Sequence, residues 1–123
     1  MNSEFSDLTS SQLLSKLDEF KHEAQKAGSK LVELETLARD LKTKVEAVFN
    51  EMKRIEIEKG KSYNVANVMA SCSPEYKNAL EEHSKAEHEY NLAKIEYDLA
   101  KSSIRTLEAI GYVRNNELKL ARG

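Results

Sequence analysis

The side chains in this 123-residue sequence that could do chemistry are three histidines, His22, His83 and His88, two acidic pairs, Glu81-Glu82 and Glu87-Glu89, and one thiol, Cys72. The histidines do not recur at a ligand spacing on one helix face, and no HExxH, phosphate-binding loop, nucleophile elbow or paired-cysteine motif occurs. A single cysteine forms no internal disulfide and no metal clip, so Cys72 is read as a small filler near a turn. The acidic pairs carry no sign of an acid/base couple and are read as solvated helix surface. We therefore expect a protein that is not an enzyme, with no catalytic residues, no metal and no cofactor.

The remaining candidate chemistry is electrostatic. The formal net charge of −2 conceals blocks of −3, +2, −3 and +2 over residues 1–40, 41–72, 73–103 and 104–123. The first basic block holds Lys42, Lys44, Lys53, Arg54, Lys59 and Lys61 and ends beside Tyr63. The second holds Arg105, Arg114, Lys119 and Arg122. Cations interleaved with an aromatic ring suit phosphate tracking and base stacking on single-stranded nucleic acid. By spacing alone, an ordinary ion-paired surface explains them better, since Lys42 and Lys53 have Glu46 and Glu56 within a turn. A homo-oligomer shifts that balance, because repetition turns a weak patch into a basic rim with avidity.

The elements that must carry these residues are helical. One proline, four glycines, no tryptophan and a third of the residues charged favour an all-α chain of long solvated helices. Apolar residues recur at 3-4 spacing from Leu13 through Leu17, Phe20, Ala24, Ala27, Leu31, Leu34, Ala38, Leu41, Val45, Val48 and Met52 to Ile55, a coiled-coil seam. A straight helix on that stripe would be about 64 Å long. Thr9 and Gln12 form a capping box before it, and Gly60 is its natural stop, so a helix is expected over residues 9–59, continuous or slightly bent at Gly28.

Residues 60–73 lose the heptad and are read as a loop. It has room for a turn of helix through Val65, Val68 and Met69, which share a face that would need burial. Ser73-Pro74-Glu75 opens a second helix over 74–110, with Ser73 as N-cap. Its seam alternates large with small: Tyr76, Ala79, His83, Ala86, Tyr90, Ala93, Tyr97, Ala100, Ile104, Leu107. Alanine at every second position suits a closely approaching antiparallel partner, which the first helix supplies. His83 falls on this seam as a polar position that sets register. A short basic tail helix is expected over 112–121, after a cap or kink at Gly111.

The expected fold is thus a single all-α domain over residues 1–123, a long antiparallel coiled-coil-like helical hairpin with a short C-terminal helix. A second apolar set, Leu92, Ile95, Leu99, Ile110 and Val113, is left over, joined by Leu14, Leu37 and Phe49 off the first seam. It is read as the interface of a homo-oligomer. No window reaches the ~18 apolar residues of a membrane span, and the N-terminus is polar and acidic rather than signal-like. A soluble, cytosolic protein without membrane contact is expected.

Two stretches carry a resemblance. Glu51-Met52-Lys53-Arg54-Ile55-Glu56 is similar to a Glu-Met-x-Arg-Ile-Glu segment near the end of the first long helix in UvsY-type recombination mediators of T-even phages. Thr106-Leu107-Glu108-Ala109-Ile110-Gly111-Tyr112 resembles that family's Ala-Leu-Asp-Ala-Ile segment with its following Gly-aromatic pair. The order and separation of the two segments also agree, from about Phe49 onward. The resemblance implies a ring-forming helical accessory protein that binds single-stranded DNA in the host cytoplasm. It implies as partners a strand-exchange recombinase, which the protein helps to load, and the single-strand-binding protein that coats the strands. An ungapped match puts Asn64 and Ala66 where the family carries its DNA-contacting basic pair, with Lys59 and Lys61 as the nearest substitutes, and the loop before the second helix is shorter than the family's.

Expected nucleic-acid contacts are Lys53, Arg54, Lys59, Lys61, Tyr63, Arg114 and Lys119. The alternative function is a helical protein-interaction module, such as a phage assembly factor or an inhibitor of a host protein, without nucleic acid.

Overall fold

A computed structural model describes residues 7–122. The acidic stretch Met1 to Ser6 lies outside the described residues, as does the side chain of Arg122. Three helices follow in order, α1 (Ser10–Glu58), α2 (Tyr63–Ser71) and α3 (Pro74–Arg122), and the described residues contain no strand.

Local chemistry accounts for the ends of these helices. Thr9 and Gln12 exchange hydrogen bonds as the capping box requires: the Thr9 amide donates to Gln12 Oε1 at 2.9 Å, and the Gln12 amide donates to Thr9 Oγ1 at 3.2 Å. At the other end of α1, Gly60 adopts φ +93°, its amide donates to the Ile57 carbonyl at 2.9 Å, and the Lys61 amide reaches back to Glu56 at 3.1 Å. This is the Schellman pattern, and it needs a residue at ease in the left-handed region. Ser73 joins two helices through one hydroxyl, which donates to the Ala70 carbonyl at 2.7 Å and accepts from the Tyr76 amide at 3.3 Å.

Two expectations are corrected. Residues 63–71, read as loop, form a full helix, because Ser62 caps it by accepting from the Val65 amide at 3.3 Å and Ala66 and Ala70 bury one face completely. That face is not the expected one: Val65, Val68 and Met69 stay exposed. The separate tail helix is also absent, since α3 runs unbroken through Gly111. Gly111 has no left-handed φ, so it neither caps nor kinks the helix, and one glycine costs a helix only about 1 kcal/mol. Nothing lies within 4 Å of where its Cβ would stand. Gly111→Ala is therefore expected to stabilise the protein by about 1 kcal/mol in thermal melts, whereas a left-handed cap at this position would make the same change destabilising.

The packing divides into two compact units, one of residues through Lys30 with those from Ala93 onward, the other of Leu31–Leu92. In the first, the start of α1 lies antiparallel to the end of α3. Leu13 and Leu107 form its buried core, with Leu8, Leu17, Phe20 and Ile110 against them. Gly28 sits under Tyr97, whose ring would lie 3.5 Å from an added Cβ. Ile110 therefore belongs to this core and not to the leftover face, because the seam drifts onto it after Leu107.

In the second unit, the rest of α1 pairs antiparallel with the start of α3, and α2 belongs to the same unit. The Phe49 and Tyr76 rings meet at 5.2 Å with a 60° tilt, and Lys44 pairs with Glu82 at 3.1 Å. Phe49 is thus a packing residue and not part of a surplus face. Every seam residue of α1 from Leu13 to Ile55, and of α3 from Tyr76 to Leu107, is buried or half-buried. The most deeply buried positions are nonetheless mostly alanines, Ala66, Ala70, Ala79, Ala86 and Ala93, with only Leu13 and Leu107 as large side chains. Close helix approach leaves little interior, so many large apolar residues remain at the surface.

Candidate nucleic-acid interface

Five of the seven expected nucleic-acid residues, Lys53, Arg54, Lys59, Lys61 and Tyr63, lie in the second unit, within the last two turns of α1, the turn after it and the first residue of α2. Their circumstances differ. Arg54 is held between two carboxylates of its own helix, Glu51 three residues before it and Glu58 four after, with Nε 3.0 Å from Glu51 Oε2. These bonds keep the guanidinium firmly charged and hold the Glu51 carboxyl below the usual range. Lys59 pairs with Glu56 at 3.5 Å.

Lys53 and Lys61 are different. The Lys53 ammonium lies 3.5 Å from the centroid of the Tyr63 ring, a cation-π contact, and among the described residues neither lysine has a carboxylate in ion-pair range. The turn made by Gly60 folds α2 back so that Tyr63, ten residues beyond Lys53, meets it in space. Tyr63 is 62% exposed even with Lys53 over it. Its hydroxyl titrates below the usual range, because Lys53 donates to it and stands beside it as a positive charge, with Asn67 also donating. Near-ultraviolet titration is expected to show one tyrosine ionising early, and Lys53→Met to return it toward the ordinary value of ~10. Because the folded value is the depressed one, this contact adds stability only as pH rises through it, fully above ~10, and the addition is lost as pH falls. At neutral pH the ionisation contributes nothing.

Asn67 was not anticipated. It stands four residues after Tyr63, a spacing that brings side chains together on a helix but means nothing in a segment read as loop. Of the two positions that an ungapped match assigns to DNA contact, Ala66 is fully buried and cannot serve, while Asn64 is exposed.

Arg114 and Lys119 belong to the other unit. Lys119 is exposed on the last turns of α3. Arg114 is half-buried and engaged, lining an open groove of about 400 Å³ whose apolar wall is Leu13, Leu14, Leu17, Leu107 and Leu118. Leu92, Ile95, Leu99 and Val113 of the expected oligomer surface are exposed.

His22 and His88 are exposed and His83 is half-buried on the α3 seam. Among the described residues no three metal-capable side chains come together, and no helix is long and apolar enough to cross a membrane. No family model, curated protein or solved structure matches the chain.

Proposed function

We propose that this protein works by association rather than catalysis, as a homo-oligomeric helical accessory protein that binds single-stranded DNA. On this reading it helps a recombinase load onto strands coated by single-strand-binding protein. One observation carries the nucleic-acid part: the Lys53 ammonium lies 3.5 Å from the centroid of the exposed Tyr63 ring, and among the described residues neither Lys53 nor Lys61, two positions before that ring in the chain, has a carboxylate in ion-pair range. Cations not neutralised by a carboxylate attract phosphate and an exposed ring accepts a base, whereas cations already matched to carboxylates offer little to either. The resemblance at residues 51–56 and 106–112 supports the recombination context. Fluorescence anisotropy with a labelled single-stranded oligonucleotide is expected to show binding at micromolar oligomer that weakens steeply with salt. No binding at low salt would overturn the proposal.

A second reading, a protein-interaction module, is favoured by the exposed apolar residues of α3, Leu92, Ile95, Leu99 and Val113. Both readings have this surface covered by protein, and self-association is the simplest covering. Light scattering is expected to give a mass of several chains for the wild type and a smaller one for Ile95→Asp. An oligomer that lacks DNA binding would favour this second reading, and a monomeric wild type would remove the avidity on which the first depends.

A further inference from the structure

We infer that Tyr63 is a base-stacking platform, held ready by Lys53, and that it makes the protein select single strands over duplex. The inference rests on the nucleic-acid reading above and goes further by assigning the discriminating contact to one ring.

Tyr63 is the first residue of α2, directly after its N-cap Ser62. The Lys53 ammonium covers one face of the phenol ring at 3.5 Å, yet the residue remains 62% exposed, which leaves surface for a base to meet. The ring is held at its face by Lys53, and the charge beside it together with Asn67 favours the ionised hydroxyl. A ring held in this way has lost much of its rotamer freedom before any ligand arrives, which lowers the cost of stacking. A cation on one face also draws electron density from the other, which suits an electron-rich nucleobase.

The surroundings match a nucleotide rather than an apolar side chain. Lys61 stands two residues before Tyr63 in the chain and, among the described residues, has no carboxylate in ion-pair range, so it adds a positive charge in the same turn. An aromatic face beside unneutralised cations fits a base joined to its phosphate. Duplex DNA offers the phosphates but keeps its bases stacked and paired, so only a single strand can use both parts of the site.

The test compares three fluorescein-labelled probes of one length by anisotropy: a mixed-sequence single strand, the same backbone carrying abasic sites, and a duplex. Wild-type protein is expected to bind the base-bearing strand about 5- to 100-fold more tightly than the abasic strand. Tyr63→Leu should abolish that ratio while leaving abasic and duplex affinities unchanged. Tyr63→Phe should retain most of it, and Lys53→Met should reduce it. In a Tyr63→Trp variant, indole fluorescence should be quenched by the base-bearing strand and not by the abasic one. Equal affinity for base-bearing and abasic strands, or a Tyr63→Leu variant that keeps the ratio, would overturn the platform and leave nucleic-acid binding standing. Failure of every probe to bind would overturn both.

Discussion

Leu107→Ala is expected to destabilise the protein by about 2–5 kcal/mol and lower its melting temperature by on the order of 10 °C. Leu107 is the one large side chain among the described residues with no exposure at all, and it forms a core with Leu13 against which Leu8, Leu17, Phe20 and Ile110 pack. Its truncation removes the transfer free energy of the deleted methyl groups and leaves a cavity that two closely packed helices cannot easily close. With total stabilities of order 5–15 kcal/mol for domains in general, a loss of this size is a large fraction. Leu14, one residue along α1 from Leu13, is 69% exposed and serves as the control. Its replacement by alanine should change stability by no more than about 0.5 kcal/mol in chemical denaturation. A Leu14→Ala cost equal to that of Leu107→Ala would mean that the core has been assigned to the wrong face.

Joint replacement of Lys59→Glu and Lys61→Glu is expected to have the largest effect on single-strand binding, chiefly through Lys61, since Lys59 is already matched to Glu56. Each change reverses a charge. Among the described residues Lys61 has no carboxylate partner, and Lys59→Glu also leaves Glu56 facing another acid instead of the ammonium now 3.5 Å away. The slope of log affinity against log salt should fall in magnitude by about 0.7 for each phosphate that the variant no longer neutralises, so the defect is greatest at low salt. Arg54→Ala provides the contrast. Glu51 and Glu58 already neutralise Arg54, so its removal frees two carboxylates and takes away little that DNA could use. A small drop in affinity is expected, accompanied by an upward return of the Glu51 carboxyl toward ordinary values. Should Arg54→Ala weaken binding as much as the double reversal, the basic contact would centre on Arg54 and not on Lys59 and Lys61.

How far the candidate site could be read in advance follows from the range of the forces involved. The basic residues and Tyr63 were legible as types in one stretch of chain, but which lysine meets the ring was not. Arg54 lies three and four residues from its carboxylates, so that pairing is local and could have been read from spacing alone. The contact of Lys53 with Tyr63 depends on how the Gly60 turn aims α2, and a spacing of ten residues across a turn carries no such information. Asn67 was missed for the same reason, since its role exists only once residues 63–71 are helical.

The amino-acid sequence by itself determined that there are two long helices, where each begins and which faces they bury. Helix periodicity and capping are local, and the rows Leu13 to Ile55 and Tyr76 to Leu107 each needed only a neighbouring helix to cover them. Tertiary structure decided what hydrophobicity ranks wrongly. In α2 the inward face is Ala66 and Ala70 and not the more apolar Val65, Val68 and Met69, because the available space admits a methyl group but not a branched side chain. In α3 the packed Leu107 and Ile110, just ahead of Gly111, belong to a helix that continues past a residue whose intrinsic preference is to end one. It also brought Lys53 over Tyr63, a meeting set by the turn at Gly60 and invisible to any pattern along the chain.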